Sequence, residues 1–87
     1  MSWNYRVIKH VDEVAPSLKK LHPNGYVWFA IHEVYYDEKG RPSAYSEHPA
    51  KVVGESPLEI DADLRRMRKA LKLPVLSKTK FVKKKKT

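Results

Sequence analysis

The stretch Tyr26-Val-Trp-Phe-Ala-Ile-His-Glu-Val-Tyr-Tyr36, followed by Asp37-Glu-Lys-Gly40, decides the fold of this chain. It is the longest apolar run in the sequence and is rich in the aromatic and β-branched residues typical of strands. Asp37 and Gly40 stand at the first and fourth positions of a type I turn, so a returning strand should follow. The sequence therefore predicts a central strand over residues 26–36 that ends in a β-hairpin.

The composition indicates one small domain. With 87 residues the chain can bury one modest core, and it is too short for a two-domain enzyme with a deep cleft. Cysteine is absent, so disulfides and thiolate sites are excluded and a cytoplasmic location is expected. No apolar run approaches the roughly 18 residues of a membrane span, and the first residues lack the pattern of a secretory signal.

The net charge of +8 is concentrated at the carboxyl end. Residues 78–87 hold six of the 18 basic residues and no acid, which leaves 12 basic against 10 acidic residues in the remainder. We expect one α+β domain over residues 1–77 and a disordered lysine-rich tail over 78–87. The near-neutral domain gives little support to nucleic-acid binding by the domain itself.

The elements around the central strand follow from local patterns. Residues 3–10 alternate in the manner of a first strand, and Pro42 favours an edge position for the returning strand. Ser56, Pro57 and Glu59 form the start of a helix, with a capping box that satisfies its first N–H groups. Pro74 should end it. The expected architecture is a three- or four-stranded antiparallel sheet with one main C-terminal amphipathic helix on one face, in β-β-β-α order. The apolar stripe of this helix consists of Ile60, Leu64, Met67 and Leu71.

The central strand is apolar on both faces, although one helix can cover only one of them. A bulged three-residue hairpin loop places Tyr36 opposite Pro42, Val34 opposite Ala44 and His32 opposite Ser46. On the other face it pairs Tyr35 with Ser43, Glu33 with Tyr45 and Ile31 with Glu47, whereas a four-residue loop would exchange the faces. Because Ala44 and Ser46 are small, we expect the helix on their side. The predicted interaction face is then the opposite one: Phe29, Ile31, Glu33, Tyr35, Tyr45 and Glu47.

Three alternatives remain for what covers that face. It could be covered by the 11–25 connection with Val75 and Leu76, by a partner such as a second copy of the chain, or by a small ligand or stacked bases. Large exposed apolar patches are uncommon on monomers, which favours a protein partner over bare exposure. The leading expectation is a non-enzymatic binding module that acts as a homodimer or against another protein.

A second hypothesis is association with nucleic acid. Basic residues on the solvent side of the helix and in the tail could neutralise phosphates, and the tail alone would bind weakly and without sequence preference. The alternative for the helix is a solvated face balanced by its own acidic first turns. The candidate nucleic-acid residues are Arg65, Arg68, Lys69, Lys72, Lys83, Lys84, Lys85 and Lys86.

No motif predicts catalysis, a metal or a cofactor. The four histidines (10, 22, 32 and 48) lack the spacing of metal ligands, and His32 in mid-strand is expected to be packed and hydrogen-bonded. Glu33 and Glu47 form a conceivable acid/base pair, but the short chain offers little material for a cleft. The glycines stand singly, so no phosphate-binding loop is present.

Two resemblances follow from these segments. Over residues 3–76 the sequence resembles a group of small uncharacterised bacterial proteins. The segments that carry this resemblance are Tyr5–Ile8, the hairpin Ile31–Gly40, and Gly54-Glu-Ser56, which opens a helix that ends in Lys72-Leu-Pro-Val-Leu76. The succession of strands leading through Gly-Glu-Ser into an amphipathic helix is also similar in architecture to HicB-type antitoxins. Those proteins bind a partner toxin through a small α+β domain, so the resemblance implies protein binding. The glycine- and proline-rich strand pattern and DNA-binding appendage of that family are absent from this sequence.

Overall fold

The computed structural model describes residues 2–81. Strands β1 (Trp3–Asp12), β2 (Tyr26–Tyr36) and β3 (Pro42–Tyr45) precede helix α1 (Pro57–Lys69), and a two-residue strand β4 (Leu76–Ser77) follows it. The sheet order is β3-β2-β1-β4. The predicted α+β class is confirmed. The predicted all-antiparallel sheet is wrong, because β4 lies parallel to β1, with Leu76 paired to Ile8. Short 3₁₀ turns span Pro16–Leu18, Ala70–Lys72 and Lys78–Lys80.

The hairpin between β2 and β3 closes as predicted. Asp37 N–H donates to the Arg41 carbonyl at 2.9 Å, Gly40 N–H donates to the Asp37 carbonyl at 3.0 Å, and Gly40 has a φ of 76°. The Asp37 carboxylate accepts hydrogen bonds from the backbone N–H groups of Lys39 and Arg41, which fixes the turn. Tyr36 lies opposite Pro42, in agreement with the expected register at the first pair.

Beyond that first pair a bulge between Tyr35 and Tyr36 shifts the register by one residue. Pro42 has no N–H to continue the ladder, and Ser43 becomes the extra residue, its Oγ donating to the Tyr35 carbonyl at 3.2 Å. Tyr35 therefore pairs with Ala44 and Val34 with Tyr45. The predicted pairs Tyr35–Ser43, Val34–Ala44 and Glu33–Tyr45 are wrong, and Tyr45 faces the opposite side of the sheet from the one expected.

Helix α1 lies on the side of β2 that was expected to be open. Tyr5 pairs with Glu33 and Val7 with Ile31 across β1 and β2, so these side chains share a face. The Tyr5 hydroxyl donates to Asp63 of α1 at 3.3 Å. The expectation that the helix covers the face with His32 and Val34 was thus wrong: the bulge pairs Ala44 with Tyr35, so the small residue that was expected to make room for the helix lies on the Tyr35 side instead.

The other face of the sheet is covered by the chain that follows β4. The core on this face of the sheet consists of Ile8, Val34, Tyr45 and Leu76, with Phe81 packed against them. The rings of Phe81 and Tyr45 lie 4.8 Å apart between centroids. Residues 78–81, the first part of the predicted tail, thus belong to the folded domain, whereas 82–87 lie outside the described residues. Among residues 2–81, no helix is long and apolar enough to cross a membrane.

Candidate functional site

An apolar groove runs between α1 and β2. Its volume is about 550 Å³. Apart from Arg68 its walls carry no charged side chain, and they combine one strand residue, the loop after β3 and one side of the helix. We call it the α1–β2 groove, and it is lined by Ile31, Pro49, Ala50, Val52, Leu64, Met67, Arg68 and Leu71.

The helix packs on the sheet through a different stripe from the one predicted, and this leaves two leucines free to form a wall of the groove. The residues that α1 and its 3₁₀ extension bury are Asp63, Met67 and Ala70. Ala70 is small and fully buried, which lets this end of the helix approach β1 closely. Leu64 and Leu71 are left 49% and 69% exposed and form one wall of the groove. Burial of the predicted stripe at these two leucines was a wrong expectation.

Asp63 is a charged residue in the stripe of α1 that faces the sheet, where a leucine would be expected. It is 9% exposed, accepts a hydrogen bond from the Tyr5 hydroxyl and forms an ion pair with Arg66 at 2.7 Å. A buried carboxylate needs such partners, because an unpaired one costs several kcal/mol. Burial and the neighbouring Asp63 charge raise the pKa of Tyr5, so the hydroxyl remains a donor to Asp63 at neutral pH.

The ends of the helix follow the sequence. Ser56 Oγ accepts the N–H of Glu59 at 3.3 Å, and Glu59 Oε1 accepts the N–H of Glu55 at 3.1 Å. The predicted capping box is therefore confirmed at its Ser56 bond, while the returning Glu59 bond reaches Glu55 instead of Ser56. The loop leading to this cap carries Pro49, Ala50 and Val52 to the edge of β2, where Ala50 N–H donates to the Ile31 carbonyl at 2.8 Å.

The six residues of the predicted interaction face are divided by the structure. Ile31 lines the α1–β2 groove, and Phe29, two residues earlier on the same face, is 57% exposed. Glu33 accepts a hydrogen bond from the Tyr35 hydroxyl at 2.9 Å, and both side chains are half-buried.

The remaining two lie elsewhere. Tyr45 is 4% exposed in the core of the opposite face, so its inclusion in an interaction surface was wrong. Glu47 is exposed on the loop after β3, with its carboxylate 3.8 Å from His48. Neither Glu33 nor Glu47 lines the α1–β2 groove, so this groove is not the cleft that an acid/base pair would need.

The basic helix residues are exposed, as predicted for a solvated face. Arg65 forms an ion pair with Asp61 at 2.9 Å, which neutralises part of this surface. Arg68 lines the α1–β2 groove, whereas Lys69 and Lys72 line a separate cavity of about 490 Å³ with Trp3 and other residues at the far side of the helix. Lys83, Lys84, Lys85 and Lys86 lie outside the described residues.

A pair of buried histidines lies on the other face of the sheet. His10 Nε2 and His32 Nε2 are 2.9 Å apart, and the two residues are 7% and 0% exposed. His32 Nδ1 lies 2.9 Å from the Ser46 carbonyl, which can only accept, so His32 carries its proton on Nδ1. His32 Nε2 is then the acceptor, and His10 Nε2–H donates to it. The expectation that His32 is packed and hydrogen-bonded is confirmed.

The surroundings of this His pair favour its neutral form. Burial, Lys78 and the partner ring lower the pKa of His10 against the opposing effect of Asp12. Burial lowers the pKa of His32, assisted by Lys78 and opposed by the hydrogen bond to Ser46. Trp28 stacks on His10 at 4.0 Å and donates its indole N–H to Asp12 at 2.8 Å.

Two imidazole nitrogens fall short of the three or four ligands of a typical zinc site. Within residues 2–81, no group of three or more histidine or carboxylate side chains is placed to hold a metal ion. Sequence reasoning missed the contact between the two rings, because His32 lies four residues beyond Trp28, the direct partner of His10. The small Ala30 between them was the one available signal.

Comparisons with known proteins add no assignment. A scan against protein-family models finds no match, and searches of curated proteins and of solved structures find none either. Functional inference for this chain consequently depends on its own residues.

Proposed function

We propose that this protein is a non-enzymatic binding module that holds an apolar segment of a partner protein in the α1–β2 groove. The observation that carries the proposal is the exposure of Leu64 and Leu71 beside Ile31 on a helix that is otherwise well capped and well packed. A helix normally turns such leucines toward the core. Here both leucines line the α1–β2 groove instead, and the apolar wall continues across the loop to Val52.

Charge complementarity suggests the chemistry of the partner segment. Arg68 stands at the margin of the groove and forms no ion pair with any residue of the described range 2–81. A carboxylate on the partner, placed next to two or three apolar side chains, would pair with Arg68 as the apolar side chains enter the groove. This pattern is that of an amphipathic segment laid into a groove.

The nucleic-acid hypothesis has weaker support. Phosphate binding requires several unneutralised cations on one surface, and the pairing of Arg65 with Asp61 and of Arg66 with Asp63 removes two of the basic residues of α1. A cytoplasmic location remains a prediction that fits a module of this kind.

The test uses a photo-crosslinking amino acid at position 71, and at position 58 as the matched control. Leu58 lies on the same helix and is 81% exposed, but it is not part of the groove. A crosslinked partner at position 71 and none at 58 identifies the candidate. A synthetic peptide from its crosslinked segment should then bind the purified protein.

The substitution Leu71→Glu should weaken that peptide at least tenfold, because a buried leucine contributes about 1.5–3 kcal/mol and tenfold corresponds to about 1.4 kcal/mol. Leu58→Glu should leave its affinity unchanged. Arg68→Glu should weaken binding, and a peptide with its carboxylate replaced by lysine should recover it. Equal loss in the Leu71 and Leu58 variants would refute the groove as the binding site.

A further inference from the structure

One edge of the sheet is unprotected over the first half of β2. Strand β3 pairs only with the end of β2, from Val34 to Tyr36. The loop after β3 then contributes Ser46 N–H to the Glu33 carbonyl and Ala50 N–H to the Ile31 carbonyl. In an antiparallel strand the outward backbone groups belong to alternate residues, so those of Phe29 and Val27 come next. Among residues 2–81 no backbone group bonds to them on that side.

The side chains of this segment are open as well. Tyr26 is 51% exposed, Val27 41% and Phe29 57%. We call Tyr26–Ala30 the open β2 edge. Proteins usually protect such an edge with lysine, proline or a covering segment, because it templates pairing with another strand. The other edges carry such protection: β3 begins with Pro42, β4 has only two residues, and β1 carries the charged Arg6 and Asp12 outside its short pairing with β4. The open β2 edge contains no charge, no proline and no glycine.

We propose that two copies of the chain pair antiparallel along the open β2 edge, with the twofold axis at Trp28. This register makes Val27 of one copy a hydrogen-bonded pair with Phe29 of the other, so that all the outward N–H and C=O groups of these residues are satisfied. The residue that it places opposite Ile31 is Gly25, which precedes β2 and whose N–H is bonded to the His22 carbonyl, so the pairing does not use the Ile31 carbonyl that Ala50 already occupies. A register centred on Phe29 would place Val27 opposite Ile31 and displace that bond.

The segment is complementary to itself in this register. Val27 packs against Phe29 on the helix side of the sheet, twice by symmetry, and Tyr26 faces Ala30 on the other side, next to the Trp28 pair. Aromatic and β-branched cross-strand pairs of this kind are the favourable ones. A second copy therefore fits the edge without any buried charge, which a strand from an unrelated protein would meet only by chance. None of the residues Tyr26–Ala30 lines the α1–β2 groove, so the pairing and the groove use different residues.

Sedimentation velocity over a wide range of protein concentration tests the pairing. Wild type should dimerise, and Phe29→Lys should shift the dimer to monomer by placing a charge beside Val27 of the second copy. Leu58→Lys, at a more exposed site on α1, should dimerise as wild type does. A monomeric wild type at every concentration would overturn the proposal, and so would a dimer that Phe29→Lys leaves intact. Dissociation by Leu71→Glu with no effect of Phe29→Lys would place the contact in the groove instead.

The register is tested by disulfide trapping, which is clean because the chain has no cysteine. A mixture of Val27→Cys and Phe29→Cys should form the mixed disulfide, since a direct cross-strand pair lies within bridging distance. Each variant alone should crosslink far more slowly, because identical positions are offset diagonally. Faster crosslinking within either single variant than in the mixture would overturn the Trp28-centred pairing.

Discussion

Protonation of the His pair should destabilise the folded protein as the pH falls below about 6.5. In the unfolded chain both histidines titrate near 6.5, whereas burial lowers the pKa of each in the folded state. Below pH 6.5 the unfolded chain therefore binds more protons, and stability decreases with decreasing pH. Above pH 6.5 both states are neutral and this contribution is complete.

The pH interval sets an upper limit on the size of the effect. One pH unit is worth about 1.4 kcal/mol for each proton that only the unfolded chain binds. A histidine that stays neutral in the folded protein at pH 5 thus costs about 2 kcal/mol relative to pH 7.5, and the pair at most about 4 kcal/mol. Two protonated rings would bring two N–H groups together at 2.9 Å, and Lys78 adds further repulsion, so the folded state resists the second proton most strongly. Against a total of roughly 5–15 kcal/mol, this loss is readily measured.

Urea unfolding followed by circular dichroism at pH 7.5, 6.0 and 5.0 gives the measurement. His10→Gln should flatten the decrease by up to about 2 kcal/mol over this range, and His10→Gln with His32→Gln should remove most of it. His48→Gln is the control, because that side chain is 82% exposed. A double variant that loses as much stability as wild type between pH 7.5 and 5.0 would refute the reasoning.

Three further substitutions test the packing of the fold, each by chemical denaturation at pH 7.5. Gly25→Ala should destabilise more than Gly40→Ala: both have positive φ, but a Cβ at Gly25 would lie 2.6 Å from a backbone oxygen, whereas at Gly40 it meets open space and costs about 1 kcal/mol. Ser56→Ala should cost about 1 kcal/mol by removing the cap of α1. Asp63→Ala should cost about 1–3 kcal/mol, while the exposed Asp61→Ala should cost less than about 0.5 kcal/mol. Equal losses in either matched pair would contradict the assigned contacts.

The parts of the fold that the sequence predicted are those with local causes. The extent of β2, the Asp37–Gly40 turn and the Ser56 cap each depend on a few neighbouring residues whose conformational preferences agree. The face to which Tyr45 belongs depends instead on counting residues past Pro42. Because strand side chains alternate with a period of two, a single extra residue at Ser43 reverses every assignment that follows it.

The position of the helix was also beyond local reasoning. Its predicted stripe and its observed stripe share Met67, and they differ by a small rotation about the helix axis. The observed stripe includes Asp63, whose bond from Tyr5 joins residues 58 positions apart in the chain. No pattern within the helix announces a buried carboxylate, since Asp63 also fits the acidic first turns expected near a helix N-terminus.

Strand β2 is apolar on both faces because a different segment of the chain packs on each of them. Helix α1 covers the face with Ile31, and the segment from Leu76 to Phe81 covers the face with Val34. Both coverings reach the carboxyl half of the strand, where β3 also pairs. The amino half, Tyr26–Ala30, has the same kind of apolar sequence and pairs with β1, but within residues 2–81 no strand lies on its other edge and its side chains are not fully buried. The open β2 edge is therefore the part of this strand that its own chain leaves unpaired, and it is where the proposed second copy would add a strand.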